Sequence, residues 1–144
     1  MKKVYFACSI SGGRDHAHLY EDIVANIRAA GVIVLSEIFA DKTLLAELGP
    51  TPDYTPNETW SRDCAWVKQA DAVIAEVTQP SLGVGYEIGR AETWKKPTLA
   101  LFYKPSGRRL SPMIAGNPHV QVVEYTDVRE TKAAIKKFIE SLPK

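Results

Sequence analysis

Val4-Tyr5-Phe6-Ala7-Cys8, followed at once by Ser9-Ile10-Ser11-Gly12-Gly13, decides the fold class. The first five residues are apolar without alternation, the pattern of a strand buried on both faces of a parallel sheet. The next five are loop chemistry. From Asp15 to Ala30 the apolar residues Leu19, Ile23, Val24 and Ile27 recur at helical spacing, and Gly31 stops the helix. Val32 to Leu35 predicts a second strand. Strand, helix and strand make a crossover unit, which is right-handed in almost every sheet.

The pattern repeats toward the C-terminus. Asn57 reads as the N-cap of a helix through Gln69, with Trp60 and Trp66 on its buried or half-buried side. Asp71 to Val77 predicts a third strand, Gly83 to Lys95 a helix after a turn at Thr78 to Ser81, and Pro97 to Phe102 a fourth strand. Gly107 to Gly116 reads as a loop with one helical turn, and His119 to Val123 as a fifth strand. A last helix from Asp127 to Leu142 turns Val128, Ala134, Ile135, Phe138 and Ile139 toward the core. Strands alternating with helices mean an α/β fold, a five-stranded parallel sheet covered on both faces. The stretch from Ile38 to Pro56 breaks the rhythm: Pro50, Pro52 and Pro56 exclude a long regular element, and an irregular segment of that length suits a lid.

Composition narrows the classes. The 144 residues fit one domain, 1–144, with 45% hydrophobic and 24% charged residues. A net charge of +1 gives no general attraction to a nucleic acid polymer or an anionic membrane, while leaving room for one local anion site. The two cysteines, Cys8 and Cys64, make neither a CxxC pair nor a disulfide framework, and free thiols suit a reducing cytosol. No leader opens the chain and no apolar run approaches the roughly 20 residues that span a bilayer. A cytoplasmic protein is expected.

In an open parallel sheet the ligand lies beyond the carboxyl ends of the strands, where the strand order reverses. Two strand-to-helix turns, Ser9 to Arg14 and Thr78 to Gly85, carry glycines, hydroxyls and a helix start, which together can cradle an anion. They could equally be tight turns and no more. Gly83-Val84-Gly85-Tyr86-Glu87-Ile88-Gly89 has its glycines one residue out of register for a dinucleotide fingerprint, and Glu87 would repel a pyrophosphate. Glu87, expected in the first helical turn, is either an exposed acid complementing the helix dipole or a carboxylate that attacks a substrate held by the glycines. Asp63 is a solvated helix acid or its partner. Two carboxylates a substrate's width apart suit cleavage through an oxocarbenium-like transition state. His16 and His18 point different ways on a helix, and His119 is expected to have no acidic or cysteine neighbour, so no metal is expected.

These residues resemble a known family. Val4 to Arg14 resembles the first strand and loop of the Rcl-type 2′-deoxynucleoside 5′-monophosphate N-hydrolases, within the nucleoside 2-deoxyribosyltransferase superfamily. Gln69 to Ala91, including Val77-Thr78-Gln79-Pro80-Ser81-Leu82-Gly83-Val84-Gly85-Tyr86-Glu87, is nearly the family's own sequence, and Ser106 to Ile114 matches a third block. The resemblance implies the same five-stranded sheet and no cofactor. It implies that Glu87 is the nucleophile at the anomeric carbon, Asp63 the acid that assists departure of the base, and Tyr5 the residue that orients the glutamate. Ser9, Ile10, Ser11, Gly12, Gly13, Arg14, Ser81, Gly83 and Gly85 fall on the phosphate- and substrate-binding turns. Ser111 matches a serine that reaches the substrate phosphate of the neighbouring subunit, with Met113 beside it, so a homodimer is implied.

The family loop reads Ser-Ile-Arg-Gly-Gly-Arg; here Ser11 stands in place of the first arginine, which removes a charged phosphate donor. The segment from Ile38 to Trp60 matches the family poorly. The expected function is hydrolysis of the N-glycosidic bond of 2′-deoxynucleoside 5′-monophosphates. A nucleoside deoxyribosyltransferase would share the intermediate but pass the sugar to a second base. A nucleotide-sensing module would keep the turns without needing Glu87.

Overall fold

The computed structural model describes residues 1–9, 16–36 and 54–144. Within them the chain runs β1 (Lys3–Ala7), α1 (Ala17–Ala29), β2 (Ile33–Ser36), α2 (Pro56–Gln69), β3 (Ala72–Glu76), α3 (Leu82–Thr93) and β4 (Thr98–Tyr103). A short 3-10 turn (Lys104–Ser106), α4 (Pro112–Ala115), β5 (Val120–Tyr125) and α5 (Glu130–Glu140) complete it. The strands pair in parallel in the order β2-β1-β3-β4-β5.

Side chains alternate across this sheet, and both faces are covered. Val4, Phe6, Cys8 and Ile74 pack with Leu19, Ile23 and Ile27 of α1 and with Ile135 and Phe138 of α5. Tyr5, Ala7, Val73 and Ala75 point the other way, against Val67 of α2 and Val84, Ile88 and Ala91 of α3. Two covered faces explain why β1 and β3 read as unbroken apolar runs. Burying each isoleucine or valine in these layers stabilises the fold by roughly 1.5–3 kcal/mol relative to leaving it exposed.

Several boundaries differ from expectation. The cap of α2 is Thr55, not Asn57: the Glu58 amide donates to Thr55 Oγ1 at 3.1 Å, and the Thr55 amide donates to Glu58 Oε1 at 3.3 Å. Pro56, read as part of the irregular stretch, is the first residue of that helix, where its missing N–H is no loss. Trp60 is 51% exposed rather than packed, because it lies in the second turn, before α2 reaches the sheet. Strand β5 runs two residues past Val123. Helix α5 starts at Glu130, since the Thr126 hydroxyl and Asp127 amide bond its carboxylate at 2.7 and 3.0 Å in a preceding turn. At Gly31 φ is +81°, the left-handed turn that glycine permits after α1. The greater part of the expected lid, residues 38–53, lies outside the described residues.

Candidate active site

The strand order reverses between β1 and β3, neighbours with Ala7 opposite Ala75. The two anion-binding turns of the sequence therefore leave adjacent strands on one sheet edge. Ser9, fully buried, ends the described part of the first turn; Ile10, Ser11, Gly12, Gly13 and Arg14 lie outside the described residues. Ser81 ends the second turn as the N-cap of α3, its Oγ accepting from the Val84 amide at 3.3 Å. Its hydroxyl hydrogen and the first amides of α3 are donors of the kind that hold a phosphate.

Helix α3 begins at Leu82, which moves Glu87 from the expected first turn to the second. A carboxylate there contributes little to capping the dipole, whose effect fades after one turn. Gly83 stands four residues before Glu87 on the same face of α3, and among the described residues a Cβ there would meet Ser81 Oγ at 3.9 Å. Leu82, Gly85 and Gly89 share a different face. Among the described residues a Cβ at Gly85 or Gly89 would meet nothing within 4 Å.

Asp63 approaches from α2, which packs against α3. Arg62 Nε donates to Asp63 Oδ1 at 2.9 Å, with side chains 18% and 14% exposed. The guanidinium lies over Tyr54 at 4.5 Å and Trp66 at 5.0 Å, contacts that hold it in place. Tyr5 is buried beneath, its ring centroid 6.4 Å from that of Trp66, in the layer that also holds Val67, Val84 and Ile88. The three expected catalytic residues thus belong to one layer: Tyr5 from the sheet, Asp63 and Glu87 from the two helices above it.

Cys64 registers this assembly. Burial pushes its thiol up; the Arg90 guanidinium opposes that, the Glu87 and Asp63 carboxylates add to it, and a hydrogen bond with the Tyr86 side chain lowers it. Arg90 is the residue that sequence reasoning missed. It stacks at 4.4 Å on Trp94 and lies 6.0 Å from the Tyr86 ring, and its buried Nε makes no hydrogen bond among the described residues. The available signal was its spacing, four residues after Tyr86 and four before Trp94. Trp60 Nε1 donates to Tyr86 Oη at 3.1 Å and joins the helices at their outer rim.

Ser111 and Met113 are placed elsewhere. They border an open groove of about 770 Å³ together with Ser81, Leu82, Gly85 and Tyr86; Glu87, Asp63 and Tyr5 do not line it. Ser111 caps α4, Met113 is 81% exposed and Leu82 is 96% exposed. The histidines also differ from expectation: His119 lies 3.8 Å from Glu92, both at the surface, and the His16 and His18 rings are 6.4 Å apart because His16 precedes the helix.

Comparison with known proteins gives a consistent picture. A family model described as nucleoside 2-deoxyribosyltransferase matches residues 4–124. The 5-hydroxymethyl-dUMP N-hydrolase of Tetraodon nigroviridis is 48% identical over 117 residues, covering 79% of each chain. The enzyme of the same name from Mus musculus is 45% identical over 144 residues, covering 96% of this chain and 80% of its own. The solved structure of a CMP N-glycosidase from Clostridium botulinum has a TM-score of 0.68 at 18% identity, covering 94% of this chain and 99% of that one, and shares the fold.

Proposed function

Because the chain belongs to the nucleoside 2-deoxyribosyltransferase family, we propose that this N-glycosidase hydrolyses 2′-deoxynucleoside 5′-monophosphates to a free base and 2-deoxyribose 5-phosphate, through a covalent intermediate on Glu87. The observation that carries the reading is that α2 and α3, the helices that bear Asp63 and Glu87, pack against each other over the face of the sheet that holds Tyr5, with Ser81 capping the start of α3. The curated relatives are named for this type of bond cleavage.

In the first step a Glu87 carboxylate oxygen bonds to the anomeric carbon as the N-glycosidic bond breaks, and the bond pair leaves with the base. Asp63 delivers a proton to the departing base. In the second step water attacks the anomeric carbon, Asp63 takes the water's proton, and Glu87 leaves as a carboxylate. Splitting the substitution this way replaces one hard step with two easier ones. Tyr5 orients Glu87, and Ser9, Ser81 and the turn amides bind the 5′-phosphate. Ser111 and Met113, which border the groove rather than the Tyr5 face, serve the site of a second copy in a homodimer. The groove they border is where that copy docks.

The test is incubation with each deoxynucleoside monophosphate, 5-hydroxymethyl-dUMP included, with and without a free acceptor base. Release of 2-deoxyribose 5-phosphate at a rate independent of acceptor supports the hydrolase. Base exchange without net release would make the chain a transferase.

A further inference from the structure

Glu76 is the last residue of β3, 1% exposed, and its side chain lies on the α1/α5 face, away from Glu87. The mechanism above does not use it. A buried carboxylate is a poor choice for packing, since an apolar side chain of similar volume avoids the loss of hydration. Here both oxygens are engaged. Oε1 accepts from the Thr78 amide at 2.7 Å, and Oε2 accepts from the Tyr125 hydroxyl at 2.5 Å. Thr78, itself 2% exposed, accepts through Oγ1 from the Tyr103 amide at 2.8 Å, and the Val77 amide donates to the Leu101 carbonyl at 2.9 Å. One carboxylate therefore ties together the ends of β3, β4 and β5 at the first residues of the turn that leads to Ser81.

We propose that Glu76 is a positioning residue, holding Thr78 and so setting where the Ser81 cap and the first amides of α3 stand over the crevice. This rests on the reading of Ser81 as a phosphate contact. The Thr78 amide lies past the end of the ladder and takes Glu76 as its acceptor. If that acceptor is lost, both the amide and the Tyr125 hydroxyl are left buried and must find other partners, and the turn moves to supply them. A misplaced phosphate site weakens binding of substrate and transition state alike, so the effect falls on KM rather than kcat.

The test compares Glu76→Leu, Glu76→Gln and Tyr125→Phe in the full chain. Glutamine can accept from the Thr78 amide through Oε1 and donate to the Tyr125 oxygen through Nε2, so it conserves both contacts. Glu76→Leu is expected to raise KM for a deoxynucleoside monophosphate about ten- to a hundredfold with kcat within about threefold, and Glu76→Gln to restore KM to within about threefold of wild type. Amide hydrogen exchange read independently of turnover should show lost protection over residues 78–84 in Glu76→Leu, retained in Glu76→Gln. If Glu76→Leu does not fold, Tyr125→Phe, which leaves the Thr78 contact, must show an intermediate loss at the same amides. Unchanged protection there in every folded variant overturns the proposal, as does a Gln variant as damaged as the Leu variant. If wild type turns over no monophosphate, the functional reading fails, while the exchange result still judges Glu76.

Discussion

Ser81 caps α3, and in the proposed mechanism it also contacts the substrate phosphate, two roles that substitution can separate. Ser81→Ala removes the oxygen that accepts from the Val84 amide. Loss of a serine cap costs about 0.5–2 kcal/mol, and the 3.3 Å contact is long, which places this cap in the lower half of that range. For a domain of 144 residues a loss of about 1 kcal/mol lowers Tm by roughly 3–5 °C. If Ser81 binds the phosphate as proposed, the same variant should also lose a hydrogen bond to a charged group, about 1.5–3 kcal/mol, or roughly ten- to a hundredfold in KM. Ser81→Asp divides these effects. Aspartate caps as well as serine, and its charge suits a helix N-terminus, so Tm should stay at or above the wild-type value. A negative charge facing the substrate phosphate should nevertheless raise KM further than alanine does. Calorimetry gives Tm, and steady-state kinetics on a deoxynucleoside monophosphate and its unphosphorylated nucleoside gives the binding effect. A Ser81→Asp enzyme as unstable as Ser81→Ala, or one with wild-type KM for the monophosphate, refutes the reasoning.

Asp63→Asn should lower kcat on the order of 10²–10⁴-fold, most for substrates with poor leaving bases; equal losses across leaving groups would mean Asp63 only orients Arg62. Mixing an inactive Glu87 variant with a Ser111→Ala variant already shown to be impaired should restore activity in exchanged heterodimers, because one of the two sites regains both wild-type residues. Activity no greater than the sum of the separate variants, with exchange demonstrated, would mean each chain holds its phosphate alone. Burial raises the Glu76 carboxyl, against the hydrogen bonds from Thr78 and Tyr125. The unfolded chain then releases this proton at lower pH than the folded one, so folded stability falls as pH rises from about 4 through the raised folded value. Glu76→Gln has no such titration, and its Tm relative to wild type should climb over the same window; a constant offset from pH 4 to 8 contradicts this.

The layers of the fold were legible because parallel strands buried on both faces leave unbroken apolar runs, and Leu19, Ile23 and Ile27 recur at helical spacing beside them. The cap of α2 was not, because Thr55 and Asn57 are both capping residues and only the reach of Glu58 selects between them. Trp60 was misread because helical spacing gives the side of a helix but not how far the sheet extends beneath it. In the site, the residue types and the sheet edge could be read from Ser9, Ser81 and Glu87. The spacing of Gly83 and Gly85 does not announce that they serve different faces of α3; that follows only once Leu82 is fixed as its first residue. Arg90 lies inside the Gln69–Ala91 block, but no role was read for it there, and its stacking on Trp94 beside Tyr86 emerges only once α3 is folded.

The proposed mechanism stands on Glu87 as the nucleophile. Turnover of the preferred deoxynucleoside monophosphate by Glu87→Gln, with an unchanged circular dichroism spectrum, tests it most directly. An amide at that position cannot form the glycosyl ester, so kcat should fall by several powers of ten. Retention of more than about a tenth of wild-type activity by the folded variant would contradict it.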